Sequence, residues 1–171
     1  MQEFSILLVD DSESMLKALT RVFKYSENHE LFTALDGKGA LDILGSQSID
    51  LIITDENMPN MSGTELLNTV RTLYPHVMRF MLTGETDIEI AKRAINDGQI
   101  LRFFTKPFDE FELLIAVKYA FDLKKLEREN SRLKEVVKEQ GAYLKNLEAK
   151  YPGIASKKLS EDGAYILDGA D

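Results

Sequence analysis

The stretch Ile6-Leu7-Leu8-Val9-Asp10-Asp11 is an apolar run that ends abruptly in two carboxylates. Similar apolar runs recur at intervals typical of strands that helices cover on both faces. The five runs occupy residues 5–9, 31–35, 51–54, 77–82 and 101–105. Segments with helical spacing separate them, so the sequence predicts repeated strand–helix units with right-handed crossovers. The predicted fold is α/β, a doubly wound five-stranded parallel sheet with five helices.

Five polar residues stand where four of these runs stop. They are Asp10, Asp11, Asp55, Thr83 and Lys106. Because the carboxyl ends of parallel strands share one edge of a sheet, we expect these side chains to converge there. Such a cluster is costly unless it binds something, and its chemistry suits a hard divalent cation together with a phosphoryl group. Taken singly, each residue also fits an ordinary local role, since acids cap helices and the others suit strand ends or turns.

The charge and composition exclude several classes of protein. The chain of 171 residues has a net charge of -8, and residues 1–121 carry all of it, with 11 basic and 19 acidic side chains. This balance argues against a nucleic-acid surface, which needs clustered lysine and arginine. No run approaches the roughly 20 apolar residues that span a bilayer, and the start does not resemble a signal peptide. The chain contains no cysteine, which fits the cytoplasm.

The fifth predicted helix begins at Asp109 and does not stop at the end of the domain. Between Asp109 and Lys150 there is no proline, and Gly141 is the only glycine. Apolar residues recur in a heptad pattern over about four repeats, which is typical of a coiled coil. The predicted seam consists of Leu123, Leu126, Asn130, Leu133, Val137, Leu144 and Leu147. A solvated helix, or one that folds back on its own domain, is the alternative. Residues 154–171 are rich in turn residues and predict a small hairpin or disorder.

Four short motifs occur in order at the strand ends. They read Val9-Asp10-Asp11, Asp55-Glu56-Asn57-Met58-Pro59, Leu82-Thr83-Gly84 and Lys106-Pro107-Phe108. Together they resemble the receiver domain of bacterial two-component response regulators, over about residues 4–121. The resemblance implies a flavodoxin-like fold. The resulting domain prediction is a receiver at 1–121, a coiled-coil helix extension at 122–151 and a short tail at 152–171.

The resemblance also implies a role for each site residue. Asp55 is then the phospho-acceptor, and Asp10, Asp11, Asp55 and the backbone carbonyl of Asn57 hold Mg2+. Lys106 and Thr83 bind the transferred phosphoryl oxygens, and Phe103 is the aromatic residue that turns inward as Thr83 moves. Asn57 and Glu85 tune dephosphorylation, which implies a phosphoryl lifetime of seconds to minutes. The Lys106-Pro107 bond is usually cis in this family.

The expected function is a signalling switch and not an enzyme, although a receiver takes part in its own phosphorylation and dephosphorylation. A sensor histidine kinase donates the phosphoryl group, the face formed by residues 87–121 changes, and the coiled coil dimerises or binds a downstream protein. We favour a free-standing receiver that binds neither nucleic acid nor membrane. The alternatives are the input fragment of a longer regulator with an enzymatic output, such as cyclic-di-GMP turnover, and a phosphorelay shuttle. A metal-dependent phosphatase fits less well, because position 57 is asparagine.

Overall fold

The computed structural model describes residues 4–24 and 29–152 of the chain. Over these residues strands and helices alternate, with a short 3-10 turn at Glu85–Asp87 before the fourth helix. The strands are β1 (Phe4–Val9), β2 (His29–Ala34), β3 (Leu51–Asp55), β4 (Met78–Thr83) and β5 (Arg102–Thr105). The helices are α1 (Glu13–Lys24), α2 (Gly37–Ser46), α3 (Gly63–Leu73), α4 (Ile88–Asn96) and α5 (Glu110–Lys150).

The five strands form one parallel sheet in the order β2-β1-β3-β4-β5. Successive side chains of each strand point to opposite faces of the sheet, so a separate core is buried on each face. In β1, Ile6 and Leu8 pack with α1 and the first part of α5, whereas Leu7 and Val9 pack with α2, α3 and α4. This arrangement is the flavodoxin-like, doubly wound fold, and it confirms the prediction of five parallel strands and five helices.

The second strand begins earlier than the sequence pattern indicated. His29 is isolated in the sequence and lacks the spacing of a metal ligand, which predicts a surface histidine. In the structure it is the first residue of β2, is half-buried and pairs with Phe4. Its ring centroid lies 5.0 Å from that of Phe121, and the Phe121 ring stacks on Phe4 at 4.3 Å. The prediction was wrong because a polar residue at the start of an edge strand does not extend the apolar run from which the strand is predicted. The environment of His29 is set instead by the ring of Phe121, which comes from α5.

The long final helix is present as one element of 41 residues. It starts beside Asp109, whose Oδ1 accepts hydrogen bonds from the backbone N–H groups of Phe111 at 2.7 Å and Glu112 at 3.1 Å. By its contacts the chain divides into two units, Met1–Phe121 and Asp122–Asp171. The hairpin prediction for 154–171 lies outside the described residues. Within 4–24 and 29–152, no helix is both long and apolar enough to cross a membrane.

Candidate functional site at the carboxyl edge of the sheet

Three carboxylates and one lysine meet at the carboxyl edge of the sheet. Asp10 and Asp11 follow β1, Asp55 closes β3, and Lys106 follows β5. The Lys106 Nζ atom lies 2.8 Å from Asp55 Oδ1 and 3.0 Å from Asp10 Oδ2. One carboxylate oxygen from each of Asp10, Asp11 and Asp55 lies within 4.8 Å of the other two. The convergence expected from the strand ends therefore holds for these four residues.

The charges at this edge do not balance. Asp10 and Asp55 are buried and Asp11 is exposed. Three carboxylates therefore cluster at this edge, and the ammonium group of Lys106 pairs with two of them. Burial raises the pKa of Asp55 above its ordinary value, and the charge of Asp10 adds to this against the opposing effect of Lys106. Burial alone would lower the pKa of Lys106, but its hydrogen bonds and charge interactions with Asp55 and Asp10 outweigh this and raise it. The cluster thus keeps its lysine charged and still has a surplus of negative charge.

A hard divalent cation fits this donor set. Magnesium prefers carboxylate oxygens, and it is commonly held by one or two carboxylates together with phosphate oxygens and water. Asp10, Asp11 and Asp55 offer one oxygen each within a single small volume. Two positive charges would also neutralise the surplus that Lys106 leaves. These three residues are therefore the ones that could hold Mg2+.

Asp10 also has the local role that its position suggested. Its Oδ1 accepts a hydrogen bond from the backbone N–H of Ser12 at 2.9 Å, while its Oδ2 faces Lys106. The hydroxyl of Ser12 then accepts from the N–H of Met15 at 3.4 Å, at the start of α1. Helix entry and the acidic cluster are thus built from the same side chain, so the two interpretations of Asp10 are compatible.

The remaining predicted site residues lie around the cluster. Thr83 closes β4 and is fully buried, and its hydroxyl donates to the carbonyl oxygen of Gly84 at 3.3 Å. Phe103 on β5 is half-buried and packs against the core on the α2–α4 face. Glu85 is exposed in the 3-10 turn, and Asn57 is exposed in the loop after β3. The Lys106-Pro107 peptide bond is cis.

The sequence interpretation gave no role to Glu56, which holds the loop after β3 in place. Its Oε2 accepts hydrogen bonds from the backbone N–H and the hydroxyl of Thr64, both at 2.9 Å. Burial raises the pKa of Glu56, and the bonds from Thr64 act in the opposite direction. The backbone of Gly63 approaches the Asp55 carbonyl so closely that a Cβ atom there would clash with it. Glu56 thereby fixes the start of α3 against the end of β3.

We expect Thr64→Val to destabilise the fold by about 1–2 kcal/mol, because the buried Glu56 carboxylate loses a hydroxyl donor while the shape is kept. Thr72→Val on the same helix is the matched control, since the Thr72 hydroxyl is exposed and donates only to the Asn68 carbonyl oxygen among the described residues. The free energy of unfolding of this control should stay within about 0.5 kcal/mol of that of the parent. Urea unfolding measures both values, and equal values would contradict the role of Glu56.

A doubly wound parallel sheet with an acidic cluster and a lysine at its carboxyl edge defines a class of ligand-binding α/β domains. The family model of the response regulator receiver domain matches residues 6–118. The chain belongs to this family, whose members act as signalling switches.

Relatives and solved structures agree with this assignment. The chain is 32% identical over 124 residues to sporulation initiation phosphotransferase F of Bacillus subtilis, covering 72% of this chain and 98% of the relative. It is 29% identical over 158 residues to the hydrogenase transcriptional regulatory protein HoxA of Bradyrhizobium diazoefficiens, covering 92% of this chain and 32% of that protein. The crystal structure of the signal receiver domain of an HD domain-containing protein from Pseudomonas fluorescens Pf-5 matches with a TM-score of 0.68 and 35% identity, covering 72% of this chain and 98% of that one.

The chain is much shorter than several of the regulators that it matches. It spans 32%, 27% and 23% of the length of the first three curated relatives, which are regulatory proteins by name.

Proposed function

We propose that the chain is a response regulator in which a sensor histidine kinase donates a phosphoryl group to Asp55. The observation that carries this proposal is the Lys106 ammonium group, which lies within 3.0 Å of both Asp55 and Asp10 beside a third carboxylate. In the proposed step an Asp55 carboxylate oxygen attacks phosphorus, the phosphorus–nitrogen bond to the kinase histidine breaks, and the histidine keeps the bonding electron pair. The product is an acyl phosphate on Asp55.

The chain's own residues have distinct tasks in this proposal. Asp10, Asp11 and Asp55, with the backbone carbonyl of Asn57, hold Mg2+, which when bound neutralises charge on the carboxylates and on the incoming phosphoryl group. Lys106 moves from pairing two carboxylates to pairing the new phosphoryl oxygens. Thr83 donates its hydroxyl to one of those oxygens, which gives the modified and unmodified states different contacts and so allows the switch.

Two further groups of residues follow from the same proposal. Phe103 turns toward the interior when Thr83 moves, which changes the face formed by residues 87–121. Asn57 and Glu85 control the approach of the water that hydrolyses the acyl phosphate. The site thereby takes part in its own phosphorylation and dephosphorylation but does not turn over a separate substrate. This behaviour is that of a signalling switch and not of an enzyme.

The metal dependence of labelling tests the proposal. We expect acetyl phosphate to add the mass of one phosphoryl group to the chain in the presence of Mg2+, and we expect EDTA to suppress this addition. Three clustered carboxylates repel an anionic donor until their charge is neutralised. Intact-mass spectrometry measures the labelled fraction, and calcium in place of magnesium is the control for a general charge effect. Equal labelling with and without EDTA would contradict the metal role.

We also propose that the C-terminal helix forms a homodimeric coiled coil at 122–151 that carries the output or recruits a downstream protein. Five apolar seam residues, Leu123, Leu126, Leu133, Val137 and Leu144, are 52–68% exposed in the single chain. Exposed leucines at heptad spacing favour a partner helix, because burying them removes apolar surface from water. In the heptad that places residues 123, 130, 137 and 144 at a and residues 126, 133 and 147 at d, Asn130 is an exposed a-position residue, which suits a fixed register in a parallel pair. Leu147 is half-buried and continues the seam.

The relatives favour two alternative outputs. The near-complete coverage of a relative named as a phosphotransferase supports a relay that passes the phosphoryl group onward. The partial coverage of long regulatory relatives supports an input segment of a larger regulator, including one with an enzymatic output. Rapid loss of label to an added histidine phosphotransfer domain would favour the relay. We place the protein in the cytoplasm with its kinase, and its acidic first unit does not favour direct contact with nucleic acid or membrane.

A further inference from the structure

A hydrogen bond joins the loop after β3 to the turn after β4. The Nδ2 atom of Asn57 donates to Oδ2 of Asp87 at 2.7 Å, across 30 positions of the sequence. The hydroxyl of Thr86 donates to the same oxygen at 3.1 Å. Asn57 lies two residues beyond Asp55, and Asp87 lies four residues beyond Thr83. The bond therefore connects the two segments that follow the proposed phospho-acceptor and the proposed switch threonine.

The position of Asp87 in the fold makes this partner unusual. Asp87 is the N-cap of α4, yet its side chain makes no capping hydrogen bond. The other helices are capped by side chains at their starts. The caps are Ser12 for α1, Asp36 for α2, Ser62 for α3 and Asp109 for α5. An aspartate at an N-cap normally accepts from the first turn of its helix and stabilises it. At α4 this carboxylate is directed to Asn57 instead.

The two possible partners of Asp87 belong to different arrangements of the site. The Thr83 hydroxyl donates to the Gly84 carbonyl oxygen, and the same oxygen accepts from the Asp87 N–H at 3.1 Å. Moving the Thr83 hydroxyl toward a phosphoryl group on Asp55 would therefore take one hydrogen bond away from the Gly84 carbonyl oxygen, which also holds the turn that carries Asp87. The bond to Asn57 spans two segments, so a shift of that turn away from the loop after β3 would break it. A cap on α4 lies within one segment and can form after it.

We propose that Asp87 is a positioning residue that holds Asn57 in the unphosphorylated state and caps α4 after Thr83 has moved. This inference rests on the proposed function of Asp55. The Asn57–Asp87 hydrogen bond then acts as a latch, because it stabilises only the resting arrangement of the two loops. A ligand that selects the other arrangement has to break it, and its apparent affinity is reduced accordingly.

Asp87→Ser separates the two roles, because serine is a good N-cap but is too short to reach Asn57. We expect this variant to bind beryllofluoride, in the presence of Mg2+, about threefold to tenfold more tightly than the parent, as one solvent-exposed hydrogen bond is no longer lost on binding. Asn57→Ala should tighten binding to a similar extent. The double variant should bind like either single variant, since both changes remove the same bond. Fluorine NMR titration measures all four affinities.

Asp36→Ser is the matched control, because it makes the same exchange at the N-cap of α2, where Asp36 accepts from the Gly39 N–H at 2.7 Å. Its affinity for beryllofluoride should equal that of the parent. The latch is refuted if Asp87→Ser leaves the affinity unchanged or weakens it. Equal tightening by Asp87→Ser with and without Asn57→Ala also refutes it, because Asp87 would then act without Asn57. A parent protein that binds no beryllofluoride contradicts the proposed function of Asp55, and the latch with it.

Discussion

Asp55→Asn is expected to abolish labelling by acetyl phosphate and by any kinase that recognises the chain. The amide keeps the shape of the carboxylate but lacks the anionic oxygen that attacks phosphorus. The fold should not suffer, because burial and the neighbouring Asp10 already raise the pKa of Asp55 and make its charge unfavourable. Lys106 keeps its ion pair with Asp10 at 3.0 Å in the variant. Loss of labelling without loss of thermal stability is therefore the expected combination.

Intact-mass spectrometry after short incubation with acetyl phosphate and Mg2+ measures this effect. Asp42→Asn makes the same atomic exchange at an exposed position on α2 and should label like the parent. Thermal unfolding monitored by circular dichroism shows whether a variant that is not labelled is still folded. A folded Asp55→Asn protein that labels at the parental rate would show that another residue accepts the phosphoryl group.

The residues that could be located from sequence are those fixed by strand ends. Asp10, Asp55 and Lys106 each follow an apolar run, and the topology of a parallel sheet then brings them to one edge whatever the details of packing. For this reason the fold and the carboxylate–lysine cluster are both predictable from a pattern of apolar and polar residues. The contact between Lys106 and Asp10 joins residues 96 positions apart and still follows from that pattern.

The contacts that escaped prediction depend on loop conformation. Asn57 lies in the loop after β3 and Asp87 in the short 3-10 turn before α4, where no period indicates which side chains face each other. Glu56 stands within a recognised motif, but its bonds to Thr64 require the close approach of α3 to β3. His29 was misassigned because its burial comes from aromatic rings that are remote in sequence. Local patterns carry no signal for such contacts.

The second large effect is expected at the coiled-coil seam, where Leu133→Lys should convert a dimer into a monomer. Leu133 is a d-position residue and is 54% exposed in the single chain. In a paired coil, the substitution removes a buried leucine from each helix and places two ammonium groups opposite each other in an apolar seam. We expect association to weaken by about a hundredfold or more. Size-exclusion chromatography with light scattering measures the mass directly.

Ala142→Lys provides the control, because Ala142 is an exposed f-position residue on the same helix and gains the same charge. It should leave the mass and the dissociation constant unchanged, since an f position faces away from a partner helix. The pair of variants separates a coiled coil from both alternatives for this helix. A solvated helix would give a monomeric parent, and a helix that binds its own receiver would give a monomer in which Leu133→Lys lowers thermal stability. Repeating the parent measurement with beryllofluoride then shows whether phosphorylation assembles the dimer or acts on one already formed.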